Sequence, residues 1–128
     1  MNTDKKETIY GNTPSKSNCY KIITMMGRDR KMKPSLGKSS ALKDYEKKFF
    51  MQLSGNLRNK NIAGLFELHV DVYYPSMRSD LDNSLKIILD CLQKARAIKN
   101  DNKCVKIVAQ KFIDKNAPRI EFEIKEII

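Results

Sequence analysis

Acid is what this chain lacks. Its 128 residues hold 15 Asp/Glu against 25 Lys/Arg, a formal net charge of +10. Such a balance points toward a polyphosphate partner, because each Lys or Arg placed on a phosphate releases counterions and steers association. The plainer use of the charge is solubility alone. Cysteine is scarce as well: Cys19, Cys91 and Cys104 are odd in number and show no CxxC or CxxxC spacing. That argues against a disulfide framework and against a zinc site, and the three read as reduced thiols. No apolar run approaches the ~20 residues of a membrane span, and the opening MNTDKKETIYGN has no signal-peptide apolar stretch, so a soluble, cytoplasmic protein without membrane contact is expected. Internal repeats and low-complexity segments are missing too, and the length suits one domain.

The positive charge that is present is uneven. Residues 1–40 carry nine Lys/Arg against three Asp/Glu, and residues 41–60 five against two, whereas residues 61–98 carry four against five. An acidic cluster therefore sits inside a basic molecule.

Hydropathy patterning organises the chain. Residues 1–18 are polar, rich in Ser, Asn and Thr, and without apolar period, so they read as a flexible arm ahead of a domain over 19–128. CYKIITMMG (19–27) predicts a strand, with RDRKMKPSLGKSS following as a basic loop. Ser39 or Ser40 is placed to cap a helix that runs to about Leu53, with Leu42, Tyr45, Phe49 and Leu53 at helical spacing. In LFELHVDVYY (65–74), Phe66, Leu68, Val70, Val72 and Tyr74 alternate with Glu67, His69, Asp71 and Tyr73, predicting a strand stopped by Pro75. Leu81, Leu85, Ile88 and Leu92 form the buried stripe of a second helix. CVKIVAQKFI (104–113) and RIEFEIKEII (119–128) alternate on either side of a turn at 114–118, the mark of a hairpin. The expected order is β-α-β-α-β-β: a single small α/β (α+β) domain with a mixed β-sheet and two main helices packed on it.

Chemistry concentrates in RSDLDNSLKIILDCL (78–92). Neighbouring aspartates repel, and a helix start can use one of Asp80 and Asp82 as a cap, so a positive charge is expected between them. Mg²⁺ is held by one or two carboxylates together with substrate phosphates, which would also give the basic surface its purpose. Asp101, in a polar loop ahead of the strand at 104, is the candidate third carboxylate, brought back beside the beginning of the helix. Lys86, one turn after Asp82, could pair with a carboxylate or stabilise charge on a phosphate. Simpler readings stand beside these: Asp82 as a cap, Asp101 as a turn residue, Asp82 and Lys86 as an ordinary helix ion pair. His69 reads as a sheet-face residue rather than a ligand, and Met25 and Met26 as strand packing.

The run SDLDNSLKIILDCL followed by IKND resembles the RusA family of Holliday-junction resolvases, whose signature is D-x-D-N-x-x-K-x-x-L-D-x-L and then an acidic loop. Asp80, Asp82, Asn83, Lys86, Leu89, Asp90 and Leu92 match it. PSKSNCYKI (14–22) and RIEFEI (119–124) resemble the family's flanks more weakly. The resemblance implies a small homodimer that uses Mg²⁺, with Mn²⁺ able to replace it, to nick two strands of a four-way DNA junction symmetrically. Asp80, Asp82 and Asp101 then match metal-holding catalytic carboxylates, Lys86 an essential lysine, and Asn83 and Asp90 supporting positions. Lys16, Lys21, Arg28, Arg30, Lys31, Lys33 and Lys38 are the candidates for tracking the DNA backbone. Two departures stand out: Asn100 where many relatives carry a second acid, and Arg96 where a glycine often ends the helix. A non-catalytic basic nucleic-acid binding module and a metal nuclease for other branched DNA remain as alternatives. The apolar Phe49, Phe50 and Met51 are candidates for core packing or for a dimer contact.

Overall fold

The strand at 65–74 is where the core is organised. The computed structural model of the protein describes residues 6–14, 20–26, 28 and 31–127, and for 20–26 and 32–36 the main chain alone. The elements are β1 (Glu7–Tyr10), β2 (Tyr20–Met26), β3 (Met32–Lys38), α1 (Ser40–Gln52), β4 (Phe66–Tyr74), α2 (Leu81–Lys94), a 3₁₀ turn (Asp101–Lys103), β5 (Cys104–Ile113) and β6 (Arg119–Glu126). Four strands form a mixed sheet in the order β1-β6-β4-β5, and β2 and β3 form a separate antiparallel ribbon. With two helices packed on the sheet, the domain is of the α+β class.

Alternation in β4 resolves as its sequence predicts. Phe66, Leu68, Val70, Val72 and Tyr74 are buried, and the residues between them are half-buried on the opposite face. Leu42, Tyr45 and Phe49 of α1 meet this apolar face, joined by Ile88, Leu89, Cys91 and Leu92 of α2 and by Ile120 and Phe122 of β6. The Phe49 and Phe122 rings stack at 6.1 Å. Leu81 and Leu85, expected at the centre of the α2 stripe, are only partly buried, and the buried line runs instead through Ser84, Ile88, Cys91 and Leu92. Ser39 caps α1, its Oγ accepting from Leu42 N–H at 3.2 Å. Cys91 is a buried free thiol and Cys104 a half-buried one; Cys19 lies outside the described residues.

Three expectations are corrected. Residues 7–10 lie within the stretch expected as a flexible arm, yet they form β1, paired with β6, with Ile9 fully buried. One buried isoleucine and the anchoring of Tyr10 and Glu7 to the end of α1 suffice where no period of four residues is visible: Ser54 N–H donates to Glu7 Oε1 at 3.0 Å. Residues 32–38, expected within a loop, form β3; Pro34 and Gly37 disguise it, and a two-stranded ribbon tolerates proline because both of its strands are edges. Finally, β5 and β6 are not a hairpin. β4 lies between them, parallel to β5 through the α2 crossover and antiparallel to β6. The 114–118 loop steps across the end of β4, with Asp114 N–H donating to Tyr74 O at 2.8 Å. Asp114 Oδ1 accepts from the Asn116 and Ala117 N–H groups while Oδ2 takes Arg119, which holds its carboxyl below the ordinary aspartate range.

Candidate active site

The site grows from the point where β4 hands the chain to α2. Tyr74, the last residue of β4, is buried, and its hydroxyl shares a short hydrogen bond with the buried Ser84 Oγ in the first turns of α2 while also donating to Asp80 O at 3.2 Å. One phenol thus pins both the helix and the main chain of its N-cap. Burial raises the Tyr74 pKa above the ordinary phenol value, the Ser84 bond opposes that rise, and the nearby negative charges of Asp82 and Asp80 add to it. From the other side the Lys111 ammonium of β5 donates to Met77 O at 3.0 Å and to Ser79 O, gathering the 75–80 loop against the sheet. These supports went unseen in the sequence, where Tyr74, Ser84 and Lys111 look like ordinary periodic residues.

Asp80 is the N-cap of α2 but makes no side-chain capping hydrogen bond, and Asp82 stands in the first helical turn. Both are exposed. The simpler reading of Asp82 as the cap is not met: the cap position is Asp80, and the Asn83 N–H is satisfied by its main-chain oxygen at 3.2 Å rather than by a carboxylate. Two adjacent carboxylates are held in place by main-chain and tyrosine contacts and left out of the helix's own hydrogen bonding.

Asp101 is placed differently. α2 closes with Arg96 in the left-handed region (φ 59°), Arg96 N–H donating to Gln93 O and Ala97 N–H to Leu92 O, the paired bonds of a Schellman ending. The following residues run beside 59–62, with Lys99 N–H bonded to Ile62 O, and lead into the 3₁₀ turn. Asp101 N–H donates to Gln93 Oε1 at 2.9 Å, and its carboxylate accepts from Lys86 Nζ at 2.5 Å. Lys86 also pairs with Asp90 at 3.1 Å. The bonds to Asp101 and then Asp90 lift the Lys86 pKa above the ordinary lysine value, keeping it cationic. Asp101 therefore lies against the middle and second half of α2, not beside its beginning as its sequence position suggests. Among the described residues no group of three or more His, Cys, Asp or Glu side chains stands ready to hold a metal ion. The residues that would hold a hard divalent cation at the helix start are Asp80 and Asp82, both exposed and Asp80 without a side-chain capping bond.

The match to a known family is decisive at this point. The family model for the endodeoxyribonuclease RusA matches residues 23–125. The chain belongs to the RusA family. No curated protein matches it. The matched span takes in β4, α2, the 3₁₀ turn and β5, and so every element that builds the site. The RusA-like signature residues are distributed accordingly: Leu89 and Leu92 are core, Asp90 is a partner of Lys86, and Asp80 and Asp82 face solvent. No helix among the described residues is long and apolar enough to cross a membrane.

The expected DNA-tracking residues are only partly placed. Arg28 and Lys31 are exposed, and Lys38 pairs with Glu46 at 3.1 Å. Lys16 and Arg30 lie outside the described residues, as do the side chains of Lys21 and Lys33. His69 is a sheet-face residue, 2.9 Å from Glu67 Oε1, as its position in the alternation suggests.

Proposed function

We propose that the protein is a divalent-metal-dependent, structure-selective endodeoxyribonuclease that resolves four-way DNA junctions by paired symmetric nicks as a homodimer. The observation that carries this reading is the pair Asp80 and Asp82, fixed at the start of α2 with neither carboxylate used for capping, in a chain that otherwise carries an excess of positive charge. Asp80 and Asp82 would hold Mg²⁺ or Mn²⁺ together with Asp101. A bound cation of this kind lowers the pKa of a water and neutralises charge at a phosphodiester.

The chain's own groups do the rest. Tyr74 and Lys111 hold the main chain that carries Asp80, so the carboxylate position is set by the sheet rather than by a free loop. Lys86, cationic and engaged with Asp101, lies one turn from Asp82 and is placed to follow a phosphate once that carboxylate turns to a cation. Asp90, one turn further on, keeps the ammonium in position, and Asn83 supports the first turn. Arg28, Lys31 and the basic residues of the β2–β3 ribbon would follow the DNA backbone, giving selectivity for shape rather than sequence.

The test is cleavage of a labelled four-way junction beside a matched duplex, with Mg²⁺ or EDTA, by the wild-type chain and Asp80→Asn. Paired nicks in the junction that vanish with EDTA and with the substitution support the proposal. A reading without chemistry, a basic module that binds branched DNA, has one observation in its favour: a single copy gathers no three-carboxylate cluster among its described residues. It predicts junction binding with no cleavage in Mg²⁺ or Mn²⁺. Equal cutting of flaps and forks would move the substrate to branched DNA in general.

A further inference from the structure

Arg96 is where the chain departs from an ordinary helix ending, and the site makes no use of its side chain. It holds the left-handed conformation (φ 59°) that glycine adopts without steric cost. Yet it carries a long cation that is exposed and, among the described residues, bonds to nothing. Strained residues of this kind cluster where ligands bind. Two further exposed cations follow closely, Lys99 and Lys103, and neither side chain has a carboxylate or carbonyl partner among the described residues. Elsewhere lysines are tied, as Lys6 is to Asp71, Lys60 to Glu126, Lys94 to Glu46 and Lys125 to Glu123.

The main chain builds these cations into one surface. Asn61 N–H donates to Arg96 O at 2.8 Å and Lys99 N–H to Ile62 O at 2.9 Å, so residues 59–62 run beside 95–99, anchored by the buried Ile62, Ala97 and Ile98. RNKN (58–61) and RAIKNDNK (96–103) thus lie together, and between them they hold five Lys/Arg and one acid. That acid is Asp101, already taken by Lys86. The other polar groups are asparagines, whose amides also donate to phosphate oxygens. Asn100 and Asn102, with Lys99 and Lys103, line an open hollow of about 420 Å³. None of the exposed large hydrophobic residues falls in either stretch. The surface therefore has neither the apolar anchors of a protein interface nor the rings on which single bases stack. α1 also exposes Lys43 and Lys47, but Asp44 and Glu46 lie between them, the mixed charge of a solvated helix face.

We propose that the surface formed by Arg96, Lys99 and Lys103 holds the phosphate backbone of a duplex DNA arm, at a distance from the point of cutting. α2 has 14 residues, so its ends lie about 20 Å apart at 1.5 Å per residue. An arm running along the helix covers that span in about six nucleotide steps, at 3.4 Å per step of one strand. A junction whose branch point meets Asp80 and Asp82 would therefore reach these cations near the sixth base pair of one arm. Lys99 and Lys103 flank Asp101, so the phosphates they hold would also fix the turn that carries this acid. Each cation contributes counterion release rather than base reading, which gives grip without sequence preference. The proposal rests on branched DNA being the substrate, as in the proposed function, but not on cleavage.

Fluorescence anisotropy of a labelled four-way junction, titrated with the full chain in EDTA at several salt concentrations, tests it. Arg96→Gly, Lys99→Gln and Lys103→Gln should each weaken binding roughly threefold or more and flatten the slope of log affinity against log salt by about 0.9. The triple variant should combine these losses. Lys6→Gln with Lys125→Gln, on the open face of the sheet, removes charge of the same sign and should leave affinity and slope near wild type. Circular dichroism melts check folding, which glycine at position 96 and the unbonded lysine side chains favour. Hydroxyl-radical footprinting then places the contact: protection about six nucleotides from the branch point is expected with wild type and lost with the triple variant, while protection at the branch point stays. A triple variant with wild-type affinity and slope overturns the proposal, whether or not the surface captures an acidic protein. So do equal losses in the Lys6 and Lys125 pair, or a footprint the triple variant leaves unchanged. Because binding in EDTA reads no cleavage, a chain that grips an arm here yet never cuts would leave this surface standing and sink the nuclease reading. A junction-cutting chain whose triple variant binds as wild type would do the reverse.

Discussion

Asp80 and Asp82 at one end of the site and Asp101 at the other are all carboxylates on the margin of α2, yet they live under different rules. The first two are exposed and take no part in capping. Asp101 is tied by its main chain to Gln93 and by its carboxylate to Lys86. The difference teaches which acids the fold uses and which it leaves over. An acid that stabilises local structure is engaged by the nearest donor, as Asp114 is by the amides of the loop between β5 and β6. Under the proposed function, acids that the fold holds in place by their main chain while leaving their oxygens out of local bonds are the ones kept for a cation.

The comparison breaks most visibly at Asp80 and Asp82. Asp80→Asn and Asp82→Asn should each lower junction cleavage by on the order of 100-fold or more, since loss of even the groups behind metal ligands costs 10–100-fold. Melting temperatures should stay near wild type, because the lost oxygens support no helix hydrogen bond. Next in size is Tyr74→Phe, which leaves Ser84 Oγ buried without its partner and frees the Asp80 main chain. Chemical denaturation should show a loss of about 1–3 kcal/mol, accompanied by reduced cleavage. Lys86→Met sharpens the contrast: activity should fall strongly while stability moves by about 1 kcal/mol at most, the range of an exposed ion pair.

A pH titration distinguishes the engaged acid. The folded Asp114 carboxyl titrates below its unfolded value of 3.8, so its contribution is complete above that value and is lost as pH falls through the folded one. Asp114→Asn should flatten that acid limb in urea melts. The smallest effect is expected at Arg96, which takes a left-handed conformation at the end of α2. Arg96→Gly should stabilise by about 1 kcal/mol, because glycine adopts that conformation without steric cost.

How much of this was legible in the sequence varied by element. β4 and α2 could be read because a nine-residue alternation and a four-turn stripe leave little ambiguity about period. The neighbours of β5 and β6 could not, since alternation identifies a strand and its buried face but not the strand beside it. β1 is too short to show a period and has one buried residue, Ile9, and β3 carries Pro34 and Gly37, which read as loop. At the site, the spacing of Asp80, Asp82 and Lys86 along one helix is fixed by chain geometry and was visible at once. Asp101 lies beyond a helix ending and a turn, and its position depends on the Schellman closure at Arg96 and on the Gln93 and Lys86 contacts, none of which a spacing rule contains.

The most direct test of the claim that Asp80 and Asp82 are kept for a cation is Mn²⁺ binding followed by electron paramagnetic resonance, in wild type, Asp82→Asn and Asp114→Asn, with a junction of uncleavable phosphorothioate linkages present. The account predicts saturable binding in wild type and Asp114→Asn and its loss in Asp82→Asn. Equal Mn²⁺ binding by all three proteins would contradict it.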